Sequence, residues 1–219
     1  MGMCPTGRGR EREDREQLMC SEFKMIPDED LECVLEIVRA RRAVVELPAR
    51  PARNRSAYPK SVAPVVVPLE GDFVLREMIW GYERPWLKAP IFNTRADTAM
   101  SQEGRNMWRD SLEHRRCIIP TLGFFEPHKT ERTVSERTGR TIKQKFLFTS
   151  PLGPLLFIAG IYEDGHFSMM TTAPNACVEQ IHNRMPVVLH QDELDLWSGS
   201  SYERVFDRDG FALEPTRVV

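Results

Sequence analysis

No apolar stretch of this sequence approaches the roughly 18 to 20 uninterrupted residues of a membrane-spanning helix. The first twenty residues hold no apolar run of the secretory-signal type, so a cytoplasmic protein is expected. Cysteine is scarce and scattered: Cys4, Cys20, Cys33, Cys117 and Cys177 are odd in number and form no Cys-x-x-Cys pair. That pattern argues against a disulfide framework and a zinc site, and no metal or cofactor is expected. An excess of either charge is also missing. Thirty Lys and Arg against 32 Asp and Glu leave a net charge of −2, so any contact with nucleic acid has to rest on a local patch. There is no internal repeat.

What is present is ordinary for a globular chain: 219 residues, 41% apolar and 28% charged, enough for one domain with a real core. Residues 1–19 stand apart. Four Arg and four acidic residues alternate there with almost no apolar content, which predicts a disordered leader that is removed or never translated. Residues 20–219 then form the folded domain. Asp28 is placed to cap a helix reaching about Arg41, with Leu31, Val34, Leu35 and Val38 on one face. Residues 43–60 read as a strand and an irregular Pro- and Arg-rich loop. Strands are predicted at Val65–Val67 and Phe73–Trp80 around a Gly-Asp turn, at Cys117–Ile119, and at Phe146–Thr149, Leu155–Tyr162, Phe167–Thr172 and Met185–Leu189. Helices are predicted at Gln102–His114, with Met107, Trp108 and Leu112 inward, at Pro174–Ile181 and at Gln191–Trp197. Residues 128–145, polar and basic, resemble a long hairpin loop. The result is an α+β fold: one compact domain with a mixed, mostly antiparallel, barrel-like sheet and flanking helices.

Three segments set reactive side chains beside strand-like runs. They are Asn93-Thr94-Arg95-Ala96-Asp97-Thr98, Gly123-Phe124-Phe125-Glu126, and Ile181-His182-Asn183-Arg184-Met185-Pro186. Each also has a plain structural use. Asn93 and Asp97 suit a turn cap, Glu126 a solvated strand end, and His182 a hydrogen-bonded structural histidine. Their spacing does not connect them.

Taken in order, Met19-Cys20, Tyr58-Pro59, Trp80-Gly81 with Pro85-Trp86, Asn93-x-Arg95-x-Asp97-Thr98, Arg116-Cys117-Ile118-Ile119-Pro120, Gly123-Phe124-Phe125-Glu126, Ala159-Gly160, Thr171-Thr172-Ala173-Pro174-Asn175 and Ile181-His182-Asn183-Arg184-Met185-Pro186 resemble the SOS-response-associated peptidase family. Each motif is weak, but nine in register from Met19 to about Trp197 are specific. The resemblance implies a protein that cross-links to abasic sites in single-stranded DNA through a cysteine exposed by methionine removal. It implies that Cys20 is the nucleophile, with Asn93, Glu126 and His182 completing the catalytic set. Arg95, Trp86, Thr171 and Arg184 match DNA-contacting positions. A monomer, free of membranes and associated with the nucleoid when on DNA, is expected.

The chemistry suits these residue types. The open form of an abasic sugar is an aldehyde, which an amine and a thiol can both attack. An N-terminal cysteine carries both groups, and its α-amine has an ordinary pKa near 8 against about 10.4 for lysine, so some is neutral near pH 7. Amine attack gives a Schiff base, with weak strand-incising lyase activity as a side path, and the thiol then closes a thiazolidine ring. Glu126 and His182 suit proton transfer, and Asn93 suits orientation. Arg105, Arg109 and Arg115-Arg116 are further candidates for a basic patch, and Trp80 for either base stacking or the core.

Several positions depart from the family pattern. Cys20 is followed by Ser21-Glu22 rather than Gly-Arg, Glu126 by Pro127 rather than Trp, and His182 by Asn183 rather than Asp, while Thr94 and Asp97 replace the commoner Ala and Glu. Weaker DNA affinity is expected from Glu22 and Pro127. Two rival activities remain at this point: a cysteine peptidase acting on proteins, for which self-removal of the leader is a limited form, and a non-catalytic single-strand binder. N-terminal sequencing of natively expressed protein is expected to read Cys20 first; a mature chain beginning at Met1 or Gly2 defeats the leader reading.

Overall fold

A computed structural model of the chain describes residues 20–40, 55–102 and 106–218. The expected leader, most of the Pro- and Arg-rich loop and Arg105 lie outside the described residues. Strands β1 (Glu22–Lys24), β2 (Ser56–Ala57), β3 (Val62–Leu69) and β4 (Asp72–Trp80) open the fold, with helix α1 (Leu31–Ala40) after β1. Strand β5 (Asn93–Arg95) leads into helices α2 (Ala96–Met100) and α3 (Arg109–His114). Strands β6 (Arg116–Thr121), β7 (Gly123–Val134), β8 (Thr141–Thr149), β9 (Leu156–Glu163) and β10 (His166–Thr172) follow. Helix α4 (Ala176–Glu179), strands β11 (Met185–Pro186) and β12 (Val188–Leu189), helix α5 (Leu194–Ser198) and strand β13 (Glu214–Val218) complete it.

The strands divide into two sheets. One runs β13-β8-β7-β1-β2 and is antiparallel throughout. In the other, β10 pairs β4, which pairs β3, then β6, then β9, which returns to β10. This closes a ring of five strands, and closure removes the open edges that invite mispairing. Parallel pairing among the described strands is confined to β10 against β4 and β5. The expected α+β single domain with a mostly antiparallel sheet is therefore what forms.

Sequence patterning explains the ring. Strand β6 is buried along its whole length, and β3 buries Ala63, Val65, Val66 and Val67, as near-continuous apolar runs do when both faces are covered. One core group joins Trp80, Phe23, Phe124, Phe148 and Phe167, and the other packs α1, α3 and α5 onto β-strand residues such as Val66 and Ile118. Trp80 is fully buried, stacks on Phe167, and donates its indole N–H to the Phe92 carbonyl at 2.8 Å. It is a core residue, not a base-stacking platform.

Other expectations need correction. The turn between β3 and β4 is Glu70-Gly71, with φ of 50° and 85°, and Asp72 already belongs to β4. Two left-handed residues suit the twist of a two-residue hairpin. Asp28 makes no helix cap; its carboxylate accepts from Arg55 Nη1 at 2.9 Å, and a single 3-10 turn at Asp28–Asp30 precedes α1. Of the helix expected over Gln102–His114, Arg109–His114 forms, Gln102 and Asn106–Trp108 are not helical, and residues 103–105 lie outside the described residues. The Asn106 side chain reaches the carbonyls of Thr98, Ala99 and Ser101 at 2.6–3.0 Å and accepts from Trp108 N at 3.0 Å, so it caps one helix and starts the next turn. Trp108 and Leu112 are buried as expected, but Met107 is exposed. Pro174 precedes α4, whose cap is Asn175, accepting from Val178 N at 3.0 Å. Most of the supposed loop at 128–145 is the outer half of a β7–β8 hairpin, paired Arg132 to Lys143 and Val134 to Thr141, with an irregularity between Pro127 and Arg132. Proline brings no donor to a ladder, which fits its place beside that irregularity.

Gly123 begins β7 with φ of 148°, and a Cβ there would lie 2.6 Å from the Phe148 carbonyl oxygen. Gly123→Ala combines backbone strain with a clash, and we expect a loss of about 2–4 kcal/mol in denaturant unfolding.

Candidate functional site

Strand β1 is three residues long, yet it holds Cys20 in the interior. Phe23 is its anchor: it packs on Trp80 with ring centroids 4.9 Å apart and pairs with Phe124 of β7. This register places Cys20 beside Glu126, which follows Phe124 and Phe125 on β7. The Cys20 backbone nitrogen donates to Glu126 Oε1 at 2.9 Å. Asn93, at the head of β5, donates its Nδ2 to the Cys20 carbonyl at 3.0 Å. His182, after α4, lies on the other side of Glu126 with Nδ1 3.8 Å from Oε2. Four residues from four separate parts of the sequence thus share one site.

Electrostatically the centre is nearly neutral. Glu126 is fully buried, and burial pushes its carboxyl well above the usual range, offset only in part by the Cys20 N–H. Among the described residues its Oε2 is buried without a hydrogen bond. Burial lowers the pKa of His182, and the charges of Lys143 and Lys129 lower it further, against a hydrogen bond to Arg184 that raises it. Both shifts favour uncharged forms, so Glu126 and His182 meet as carboxylic acid and imidazole more than as an ion pair. His182 Nδ1 is also 3.1 Å from the Arg184 carbonyl and 3.3 Å from its backbone N, which fixes the ring. The Cys20 thiol is raised by burial and then by Glu126, despite its 3.6 Å bond to the Glu22 carbonyl. A protonated thiol is a poor first attacker.

The expected DNA-contacting residues are arranged unequally. Arg95 donates to both oxygens of Asp97, at 3.0 and 2.5 Å, and Arg184 stands 3.5 Å from the same carboxylate. Asp97 is held well below the usual carboxylate range, first by Arg95, against desolvation, and then by Arg184. Two cations on one acid leave a local excess of positive charge beside His182. Thr171 is buried, and it meets Arg184 through its carbonyl, which accepts Nη2 at 3.0 Å. Trp86 is 71% exposed and, among the described residues, makes no ring contact. Arg109 and Arg115 pair with Glu113 and with Asp110 and Glu163. Arg116 is buried against the carbonyls of Leu112, Glu113, Trp197, Ser198 and Gly199, so it braces α3 and α5 rather than facing a ligand.

Sequence reading gave no role to Lys145 or Tyr58 beside Cys20. Lys145 falls in the segment that resembles a loop, and Tyr58 in the sequence is one letter of a weak motif. Both bind the Glu22 side chain. Among the described residues no group of three or more His, Cys, Asp or Glu is disposed to hold a metal. No described helix is long and apolar enough to cross a membrane.

Residues 19–208 match the model of a family described as SOS response associated peptidase (SRAP). The abasic site processing protein YoqW of Bacillus subtilis strain 168 is 28% identical over 137 residues, a match covering 56% of each chain. The abasic site processing protein YedK of Escherichia coli K12 is 29% identical over 132 residues, covering 56% of this chain and 54% of that one. The chain therefore spans about half the length of the curated relatives it matches. A crystal structure of a Bordetella bronchiseptica protein superposes with a TM-score of 0.61 at 21% identity, over 91% of this chain and 100% of the other. One from Bacteroides thetaiotaomicron gives 0.63 at 19%, over 91% and 92%. These two likenesses are of fold. With a family model matched along most of its length, and the fold to go with it, the chain belongs to the SOS response associated peptidase family.

Proposed function

We propose that this protein processes abasic sites in single-stranded DNA by covalent capture through the nitrogen and sulfur of Cys20. The observation that carries the reading is the 2.9 Å hydrogen bond from the Cys20 nitrogen to the fully buried Glu126. The relatives' names, abasic site processing proteins, support the abasic-site part of the reading.

The reaction begins with a neutral Cys20 amine adding to the aldehyde carbon of the opened sugar. Glu126, kept protonated by burial, gives its proton to the departing hydroxyl, and loss of one water leaves a Schiff base. The thiol then adds across the C=N bond: a C–S bond forms, the thiol proton ends on nitrogen, and a five-membered thiazolidine results. The raised thiol pKa fits an order in which nitrogen attacks first. Asn93 holds the Cys20 carbonyl, which keeps the nitrogen in line with Glu126. His182 exchanges protons with Oε2 and the sugar oxygen. Elimination from the Schiff base is the route to weak lyase activity.

DNA is held at the rim. Arg95 and Arg184 meet phosphates as these displace Asp97, Thr171 supports Arg184 through its carbonyl, and exposed Trp86 stacks on a base for about 1–3 kcal/mol. An amide nitrogen cannot form a Schiff base. The reading therefore requires that Cys20 be the first residue, by translation from Met19 or by cleavage of the leader.

Incubation with single-stranded DNA carrying one abasic site is expected to give a denaturation-resistant adduct with protein initiated at Met19, and none with an uncleaved full chain. Cys20→Ala abolishes it, and Glu126→Gln slows it about a hundredfold, within the range of general acid–base contributions. DNA retention without an adduct supports a plain binder, and cleavage of unrelated peptides without DNA supports a peptidase.

Stability provides a second check. Folded Glu126 keeps its proton to higher pH than the unfolded chain does, so wild-type stability falls as pH rises from the ordinary carboxyl value of 4.5 towards the raised folded value. Glu126→Gln does not titrate. Its stability relative to wild type is expected to grow across that window by up to about 1.4 kcal/mol per pH unit in denaturant unfolding at stepped pH.

A further inference from the structure

Two residues after Cys20, strand β1 starts with a glutamate whose side chain is only 11% exposed. A carboxylate in such a place needs donors, because an unpaired buried charge is costly. Lys145 Nζ on β8 lies 2.6 Å from one Glu22 oxygen, and the Tyr58 hydroxyl just past β2 donates to the other at 2.9 Å. Burial alone raises the Glu22 pKa, but hydrogen bonds from Lys145, Ser56 and Tyr58, with the Lys145 charge, outweigh it and hold the carboxyl below the ordinary range. Glu22 is therefore ionised near neutral pH. The acid expected to repel DNA is already neutralised within the protein.

The contacts run in both directions across the sheet. Tyr58 follows the strand on one side of β1, and Lys145 sits on the strand beyond β7 on the other. Lys145 also lies 5.4 Å from the ring centroid of Phe125, the cross-strand partner of Glu22 and the residue before Glu126. The Glu22 backbone carbonyl meanwhile accepts the Cys20 thiol at 3.6 Å. The side chain of Glu22 is fixed to β2 and β8 while its main chain holds the sulfur. Lys145 and Tyr58 are about half exposed, so their bonds add little to stability, as surface pairs generally do.

We propose that Glu22 is a positioning residue for Cys20, gripping the strand that carries the nucleophile between Tyr58 and Lys145. This rests on the reading of Cys20 as the capturing residue. Ring closure needs the thiol on the face where the imine carbon forms, and the Glu22 carbonyl holds it there. The charged groups that act on Cys20 are Glu126 from β7 and Glu22 at the start of β1; Lys145 from β8 acts on Glu22, and His182 lies behind Glu126. Glu22 and Lys145 are thus a matched pair whose separate removal changes the field at Cys20 in opposite senses.

The test is single-turnover capture of abasic single-stranded DNA by protein initiated at Met19, over a range of DNA concentrations and pH, with the uncleaved full chain as the control that gives no adduct. Glu22→Gln is expected to lower the rate at saturating DNA about tenfold, as small misplacements of a nucleophile do, with the half-saturating concentration unchanged. The pH–rate midpoint moves down in Glu22→Gln and up in Lys145→Met, since a lone cation depresses an amine pKa and a lone anion raises it. The exchanged pair, Glu22→Lys with Lys145→Glu, recovers most of the saturating rate. Where Glu22→Gln melts at the assay temperature, Tyr58→Phe and Lys145→Met carry the test, and wild-type rates in both overturn the proposal. A wild-type rate in folded Glu22→Gln, or a loss confined to the half-saturating concentration, overturns it as well. Wild-type protein initiated at Met19 that forms no adduct removes the capture reading and this proposal together; an adduct indifferent to these variants removes this proposal alone.

Discussion

One hydrogen bond organises the site: the Cys20 nitrogen donates to Glu126 across 106 residues of sequence. For it to form, a strand of three residues must lie against β7 in one register. Phe23 against Trp80, and Phe124 stacked on Phe148, supply the apolar contact that fixes that register. Gly123 lets β7 pass within touching distance of the Phe148 carbonyl. A slip of one residue would turn Phe23 out of the core and carry Cys20 away from the carboxylate. The ring of five strands is the rigid base for this, since β10, which leads towards His182, belongs to it, and β5, which begins with Asn93, pairs with β10.

Charge is graded outward from that bond. At the centre, burial keeps the Glu126 carboxyl, the Cys20 thiol and the His182 imidazole near their uncharged forms. Around them are compensated ions: Glu22 with Lys145, and Asp97 with Arg95 and Arg184. A neutral centre suits proton transfer, because a carboxyl held protonated by burial can give a proton and a neutral imidazole can take one. A paired rim suits a polyanion, because phosphates can replace Asp97 on arginines already held in place.

The fold was legible wherever burial wrote a pattern into the sequence. Strands β3, β6 and β9 carry apolar runs, β10 carries Phe167, Met169 and Met170, and β4 ends in the buried Trp80. The outer part of the β7–β8 hairpin was not legible, since both of its faces are polar and its pairing, Arg132 with Lys143 among others, leaves no hydrophobic alternation. Nor was the break between α2 and α3, which one side chain, Asn106, produces by bonding to the backbone in place of the helix. Of the site, the motif resemblance named Cys20, Asn93, Glu126 and His182, while spacing alone left each with a structural explanation. Glu22 reads as a liability in the sequence because Ser21-Glu22 stands where the family pattern has Gly-Arg. Its partner is 123 residues away.

By itself the sequence determined the candidates: the nine ordered motifs resemble one family and single out Cys20 among five cysteines, and the capture proposed for it requires an amine and a thiol on one residue. It also determined most of the strands, because alternation and apolar runs are local properties. Tertiary structure alone decided which groups meet and in what state of protonation. Glu126 is an ordinary carboxylate in the sequence; it becomes a buried acid facing the Cys20 nitrogen only when β1 lies on β7. Desolvation and register arise from residues distant along the chain, and no local segment contains them.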